Sequence, residues 1–156
     1  MSVVDQLMHR LEQPGIDGAN VDAAEGSDRF LVRVDQAGSL AVTCWELRLT
    51  TDRLAGVTIE RVRAVAEEVT RRVTYLLEPI QPIEADAEAC IVQMRSVEPD
   101  ERGDTRTYYE ALAKKGGTIS LQRFEAQRGA MRTSVAMTLT KEIIERLAED
   151  FLASVS

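Results

Sequence analysis

The feature that most constrains the fold is a pair of alternating segments joined by two glycines. Residues 105–114 and 118–127 each alternate apolar with polar side chains, and Gly116 and Gly117 lie between them. Alternation with a period of two is typical of half-buried strands, and a glycine pair between such runs favours a tight hairpin. A two-residue turn at the glycines predicts three cross-strand pairs: Tyr109 with Phe124, Leu112 with Leu121 and Glu110 with Arg123.

A second turn signal, Arg128–Gly129, leads into another alternating run over residues 130–139. A two-residue turn there places Glu125 opposite Arg132 and Phe124 opposite Thr133. Aromatic pairs and opposite charges are the cross-strand contacts that stabilise sheets, so the pattern predicts a β-meander with this register.

The first half of the chain contains a further hairpin signal. Residues 30–34 alternate, residues 35–38 have turn chemistry, and residues 40–50 form a second apolar-rich run. Val42 is out of phase with the later apolar residues of that run, and a β-bulge near Thr43–Cys44 would reconcile them. Cys90 to Val97 reads as one more strand.

Three helices are predicted from apolar residues at helical spacing. The longest runs from about Thr58, a good N-cap, to Leu77, and Pro79 ends it. Thr140 caps a C-terminal helix. A short amphipathic helix precedes Pro14–Gly15.

These elements predict an α+β fold: a mainly antiparallel, twisted sheet made of a β-hairpin, a long helix and a β-meander, with helices on one face. We expect a peripheral N-terminal helix over residues 1–12, a flexible linker over 13–28 and a single α+β domain over 29–156. The sheet is expected to contain the strands around Phe30, Val42, Val92, Tyr109, Leu121 and Val135.

Composition narrows the class of protein. The 156 residues carry a formal net charge of -7, which opposes general nucleic-acid binding. No apolar run approaches the roughly 20 residues of a membrane helix, and the start lacks a signal-peptide pattern, so we expect a cytoplasmic protein without membrane contact. Basic residues are mostly arginine, which indicates a GC-rich bacterial genome. Cys44 and Cys90 are expected to remain reduced.

Few residues offer a recognisable chemistry. His9 is the only histidine and lies on the first helix, so a His-dependent triad is improbable and no zinc site is expected. Two acidic clusters match no metal-binding loop, and solvation explains them: Glu84, Asp86 and Glu88; Asp100, Glu101 and Asp104. No phosphate-binding motif is present, so no cofactor is predicted, and no catalytic residue can be named.

Aromatic residues are the remaining site candidates. Trp45, Tyr108, Tyr109 and Phe124 could line a ligand cavity between the long helix and the sheet, although aromatics in strands are more often plain core. Such a cavity would suit a small-molecule-binding domain or an enzyme that depends on carboxylates. RNA binding through an arginine-rich face is a third hypothesis, which the acids interleaved with those arginines oppose. The arginines are Arg61, Arg63, Arg71 and Arg72 on the long helix, and Arg106, Arg123 and Arg132 in the second half of the chain.

The absence of a chemical motif favours a non-enzymatic protein-interaction module. The first helix has an apolar stripe that must pack on this subunit or on a neighbour, and sheet edges have little Pro or Lys to guard them. These features predict a homodimer, with another protein as a second candidate partner. Bacterial secretion chaperones are an analogy, because they are small, acidic, dimeric α+β proteins. The sequence contains no signature residues of that family.

Overall fold

Three helices and ten strands alternate along the chain, and the computed structural model describes all 156 residues. The helices are α1 (Val3–Leu11), α2 (Ile59–Arg72) and α3 (Lys141–Val155). The strands are β1 (Asn20–Glu25), β2 (Asp28–Ala37), β3 (Ala41–Thr50), β4 (Ile80–Asp86), β5 (Ile91–Ser96), β6 (Asp100–Arg102), β7 (Thr105–Lys114), β8 (Thr118–Gln127), β9 (Thr133–Val135) and β10 (Met137–Thr140).

All ten strands belong to one antiparallel sheet. Its main path runs β1-β2-β3-β8-β7-β5-β4, while β6 pairs with β7, β9 with β8, and β10 with β3. Consecutive strands are joined mostly by short hairpin turns, which is why every pairing is antiparallel. The predicted α+β class with an antiparallel sheet is confirmed, and the bounds predicted for β7 and β8 match the structure.

The sheet forks between β3 and β8. These two strands pair from Leu47–Leu121 to Thr50–Thr118, and beyond Leu47 they separate. The chain enters the fork as β9, which pairs with β8, bends at Ala136, and leaves as β10, which pairs with β3. The single strand predicted over residues 130–139 is therefore two short strands that fill the gap.

A β-bulge in β3 lies at the fork, where the sequence predicts one. Val34 pairs with Cys44 and Arg33 pairs with Glu46, so Trp45 is the extra residue. A bulge increases local twist, which helps β3 turn away from β8.

The register predicted for the β7–β8 hairpin is wrong by one residue. Lys114 pairs with Thr118, so the loop has three residues, and Tyr108, not Tyr109, pairs with Phe124. Gly117 has a φ of 118° and lies so close to the segment after β3 that a Cβ atom would be 2.0 Å from the Thr51 carbonyl oxygen. This close approach fixes the longer loop, and the other two predicted pairs become Glu110–Gln122 and Leu112–Ser120.

The next register prediction is also wrong by one residue. Glu125 pairs with Thr133 and Phe124 pairs with Ser134. Residues 128–132 form a longer connection than the expected two-residue turn at Arg128–Gly129. Arg132 therefore leaves the ladder, which frees its side chain for another partner.

Threonine caps begin α2 and α3 as predicted. The Thr58 and Thr140 hydroxyls accept hydrogen bonds from the backbone N–H groups of Arg61 and Ile143. However, α2 ends at Arg72 and not near Leu77. Thr74 and Tyr75 are poor helix formers, and the non-helical chain after Arg72 still buries Val73 and Leu76.

The segment predicted as a flexible linker contains a strand. Residues 20–25 form β1, which pairs with β2 along its full length. The Asn and Asp residues of β1 have low strand propensity, so the alternation of the buried Val21 and Ala23 with polar residues is hard to recognise in the sequence. The edge strand β4 was also missed, because Pro82 and its acids are atypical of strands.

The N-terminal helix is not peripheral. Val3, Val4, Leu7 and Leu11 of α1 are buried in the same core cluster as α2, α3 and the sheet. That cluster contains 35 residues, which makes one continuous core and confirms that the helices pack on one face of the sheet.

The opposite side of the sheet, here called the outer face, carries no helix. Strand alternation and the observed register place twelve side chains of the central strands there: Leu31, Arg33, Glu46, Arg48, Gln93, Arg95, Tyr108, Glu110, Leu112, Ser120, Gln122 and Phe124. None of them belongs to the core cluster.

Candidate interaction site

Three of the four aromatic residues predicted as site candidates lie on the outer face. Tyr108 and Phe124 are cross-strand neighbours there, with ring centroids 6.2 Å apart. Cys44 and Leu47 are both buried in the helix-side core, so the bulge between them turns the half-buried Trp45 outward. Tyr109 alone lies on the helix-bearing face, because it is one residue out of phase with Tyr108.

Glu110 is the centre of a charged cluster on the outer face. Its side chain is only 3% exposed, and Gln93 donates a hydrogen bond of 2.9 Å to its carboxylate. Arg95 contacts the same oxygen at 3.3 Å, and Arg132 donates to both oxygens. The carboxylate is thus buried beneath two guanidinium groups, which are 36% and 39% exposed.

The pKa of Glu110 follows from this arrangement. Burial by itself would raise the pKa, but hydrogen bonds from Arg132 and Gln93 and the positive charges of Arg132 and Arg95 together lower it below its ordinary value. The pKa of Arg132 is raised in turn, chiefly by its hydrogen bond to Glu110. Glu110 therefore stays ionised at neutral pH and is a poor general acid.

Glu46 repeats the pattern on β3. Its side chain is 10% exposed, and nitrogens of Arg33 and Arg48 approach its two oxygens at 3.9 Å. Those distances are within reach of charge attraction but too long for hydrogen bonds. The side chains of Arg33 and Arg48 are 47% and 39% exposed, so the outer face again presents cations above a buried acid.

Arginines also cover the aromatic rings of this face. The guanidinium carbon of Arg95 lies 4.7 Å from the centroid of the Tyr108 ring, and that of Arg132 lies 3.9 Å from the Phe124 ring. Cation–π attraction holds both guanidinium groups close to the rings. The rings act as supports for the arginines, and Tyr108 is buried while Phe124 is half-buried.

A different polar network is buried on the helix-bearing face. Arg123 forms two hydrogen bonds with Glu78, at 3.0 and 3.1 Å, and both side chains are about nine-tenths buried. The Ser96 hydroxyl donates to Glu78 and accepts from the backbone N–H of Tyr109. Every member has a partner within the fold, so this network joins the chain after α2 to the sheet.

A shallow groove of about 260 Å³ lies beside the fork. Apolar and threonine side chains line most of it, together with Tyr109 from β7 and Tyr75 from the segment after α2. The Tyr75 hydroxyl donates a hydrogen bond of 2.6 Å to Asp150. The pKa of Tyr75 is raised, mainly by burial and to a lesser extent by this hydrogen bond. Leu77, which is 80% exposed, forms part of the rim.

The structure brings no three His, Cys, Asp or Glu side chains together in a metal-binding arrangement. Cys44 and Cys90 are both free thiols; Cys44 is deep in the core, and burial raises its pKa to about 12. No helix has both the length and the apolar character needed to cross a membrane.

Sequence reasoning missed Glu110, Arg132, Arg95 and Glu46 as members of one surface. Glu110 was expected opposite Arg123 and Arg132 opposite Glu125, and both expectations failed with the register. One signal was available: both glutamates interrupt β-rich segments at positions that alternate with buried apolar residues. Only the observed pairing shows that the two acids share a face.

Comparison with known proteins adds no relative: no family model, no curated protein and no solved structure matches the chain. Its function must therefore be argued from its own surfaces.

Proposed function

We propose that the chain is a non-enzymatic protein-interaction module of the bacterial cytoplasm, chaperone-like or scaffolding, and that it works as a homodimer. The observation that carries the proposal is the composition of the outer face. Aromatic residues and arginine are the types enriched in protein interfaces and in their energetic hot spots. Here they share one broad, helix-free surface: Trp45, Tyr108, Phe124, Arg33, Arg48, Arg95 and Arg132.

The charged groups of that face also favour binding over catalysis. Glu110 is ionised and committed to Arg132, Arg95 and Gln93, and its pKa is shifted away from the range of a general acid. Glu46 lies between two arginines. A surface of this kind can recognise a partner, but it offers no free nucleophile or base.

Self-association needs a second surface, and the end of the molecule beside the groove supplies one. The main chain of Leu40 accepts a hydrogen bond from Lys141, next to the groove wall formed by Thr140 and Ile143. Leu40 and Leu77 are 81% and 80% exposed, so two apolar knobs flank an apolar groove. A knob beside a groove is self-complementary under two-fold symmetry, since each copy can insert its Leu77 into the other.

Two other surfaces are less suited to self-association. The apolar stripe of α1 is already buried on its own subunit. The exposed edge strand β4 contains Pro82 and a register irregularity between Pro82 and Glu84, and both features oppose edge pairing. We therefore place the dimer contact at the groove.

The experiment compares the molar masses of two lysine variants by sedimentation equilibrium. Leu77→Lys puts a charge at the centre of the proposed contact and is expected to give a monomer. Met131→Lys alters a residue that is 92% exposed and does not line the groove, and it is expected to leave the dimer intact. Equal masses for the two variants, or loss of the dimer only with Met131→Lys, would remove the groove from the proposal.

The alternative is a small-molecule-binding domain with the groove as its pocket. The groove lies between the chain after α2 and the sheet, and Tyr109 is the one predicted pocket residue that lines it. Its 260 Å³ is below the roughly 300–1,000 Å³ of typical ligand pockets, which ranks this reading second. It predicts no change of molar mass for Leu77→Lys.

A further inference from the structure

The two charged clusters make the centre of the outer face cationic, although the chain as a whole carries a net charge of -7. Four guanidinium groups surround two carboxylates, and the carboxylates are the buried members of each cluster. A ligand that approaches this face therefore meets arginine before it meets glutamate. The long-range repulsion of the acidic remainder is screened beyond about 8 Å at physiological salt.

The arginines have hydrogen-bonding capacity to spare. Each guanidinium carries five N–H donors, and its planar fork matches the two oxygens of a carboxylate. Arg33 and Arg48 remain 3.9 Å from Glu46 and form no hydrogen bond with it. Arg95 donates once to Glu110, and its side chain is 36% exposed. Both clusters could accept a further carboxylate without breaking existing bonds.

The aromatic residues favour an acidic peptide over a nucleic acid. Proteins that bind single strands stack bases on open aromatic rings. On this face the Tyr108 ring is covered by Arg95 and the Phe124 ring by Arg132, and Tyr108 is only 6% exposed. These two rings are thus covered and Trp45 is half-buried, whereas the guanidinium edges remain open.

We propose that the outer face binds an extended acidic segment of a partner protein, with one carboxylate at Arg33 and Arg48 and another at Arg95 and Arg132. This inference rests on the proposed function as an interaction module and names the chemistry of its partner. Leu47 and Ala111 both pair with Leu121 of β8, and Glu46 and Glu110 are the next residues towards the fork, so they lie at least two strand spacings, or roughly 10 Å, apart. Acidic residues about three or more apart in an extended chain span that distance.

The experiment titrates a fluorescently labelled oligoglutamate peptide with the full-length protein and follows polarisation. Saturable binding that weakens as salt rises is expected, and oligolysine is expected not to bind this face. The double variant Arg33→Gln/Arg48→Gln should weaken oligoglutamate binding at least about tenfold, because it removes charged hydrogen-bond donors. The change leaves the buried Glu46 without its two counter-charges, but neither arginine makes a hydrogen bond within the fold, so the variant should be less stable and still folded, which its circular dichroism spectrum checks.

The matched control is Arg10→Gln/Arg63→Gln, which makes the same change of net charge away from the outer face. Arg10 is 54% exposed and lies 3.8 Å from Asp22, a contact similar to those of Arg33. An equal loss in the control, no saturable oligoglutamate binding, or tighter binding of a single-stranded RNA probe would overturn the inference. Molar mass is measured separately. A protein that dimerises but does not bind the peptide would contradict the acidic-partner inference without affecting the proposed dimer.

Discussion

Arg132, from the connection between β8 and β9, donates hydrogen bonds to both carboxylate oxygens of Glu110 in the middle of β7. The contact crosses β8 and rests on the ring of Phe124. It ties a loop residue to the sheet and keeps a guanidinium group on the outer face. The stability of the sheet and the charge of the proposed binding surface therefore depend on the same pair.

Replacing Arg132 by glutamine should lower the free energy of unfolding by about 2 kcal/mol. The loss leaves Glu110 buried with one cation fewer, but Gln93 and Arg95 still contact it and Arg132 is 39% exposed, so the cost falls below that of a fully buried pair. Urea denaturation measures it. Arg106→Gln removes an exposed pair with Glu101 and should change stability by less than about 0.5 kcal/mol. Equal changes in the free energy of unfolding for the two variants would show that the contact with Glu110 stabilises the fold no more than an exposed ion pair does.

The lowered pKa of Glu110 predicts a pH dependence. A carboxylate whose pKa is lower in the folded state stabilises the fold above its unfolded pKa, and that contribution is lost as pH falls through the folded pKa. The wild-type protein should thus be more stable than Glu110→Gln at neutral pH, and the difference should shrink below the ordinary glutamate pKa of about 4.3. Urea midpoints across this range test it. A constant or widening difference on acidification would contradict the assigned charge state.

Gly117 should tolerate no side chain. Gly117→Ala would place a Cβ atom 2.0 Å from the Thr51 carbonyl oxygen in a backbone region that L-residues avoid, so we expect a loss of about 3 kcal/mol or more. Gly103 also has a positive φ, of 62°, but open space around it, and Gly103→Ala should cost about 1 kcal/mol. Thermal unfolding compares the two. A similar melting temperature for both variants would mean that the contact with Thr51 is readily relaxed.

The buried pair of Glu78 and Arg123 should behave as a unit. Glu78→Gln leaves a buried guanidinium without its counter-charge and should cost about 3 kcal/mol. Glu78→Leu combined with Arg123→Met should cost less than the sum of the two single changes, because neither charge is then left alone. Glu145→Gln on the exposed side of α3 is the neutral control. Additive losses measured by urea denaturation would show that the two side chains act independently.

The bounds of long, strongly patterned elements could be predicted from the sequence better than the register between paired strands. The bounds of β7 and β8 follow from ten-residue alternation, and the N-caps of α2 and α3 follow from Thr58 and Thr140. The hairpin register failed because it depends on Gly117 meeting Thr51, a contact between segments far apart in the chain. That single shift decides which of Tyr108 and Tyr109 faces outward.

The same limit applies to the candidate site. Trp45, Tyr108 and Phe124 could be chosen from their residue types, and the phase of Val42 indicates a bulge near Thr43–Cys44, next to its observed position at Trp45. The partner of Glu110 could not be predicted, because Arg132 reaches Glu110 only through the path that the chain takes after β8. Patterns of alternation indicate a face, but ion pairs across strands need the final register.

Light scattering of the wild-type protein across a dilution series tests the central claim of a self-associating interaction module most directly. The chain mass is 17.3 kDa. The groove contact predicts twice that mass at high concentration and a fall towards the chain mass on dilution, as for a two-fold dimer. A mass of 17.3 kDa at every concentration up to the solubility limit would contradict it.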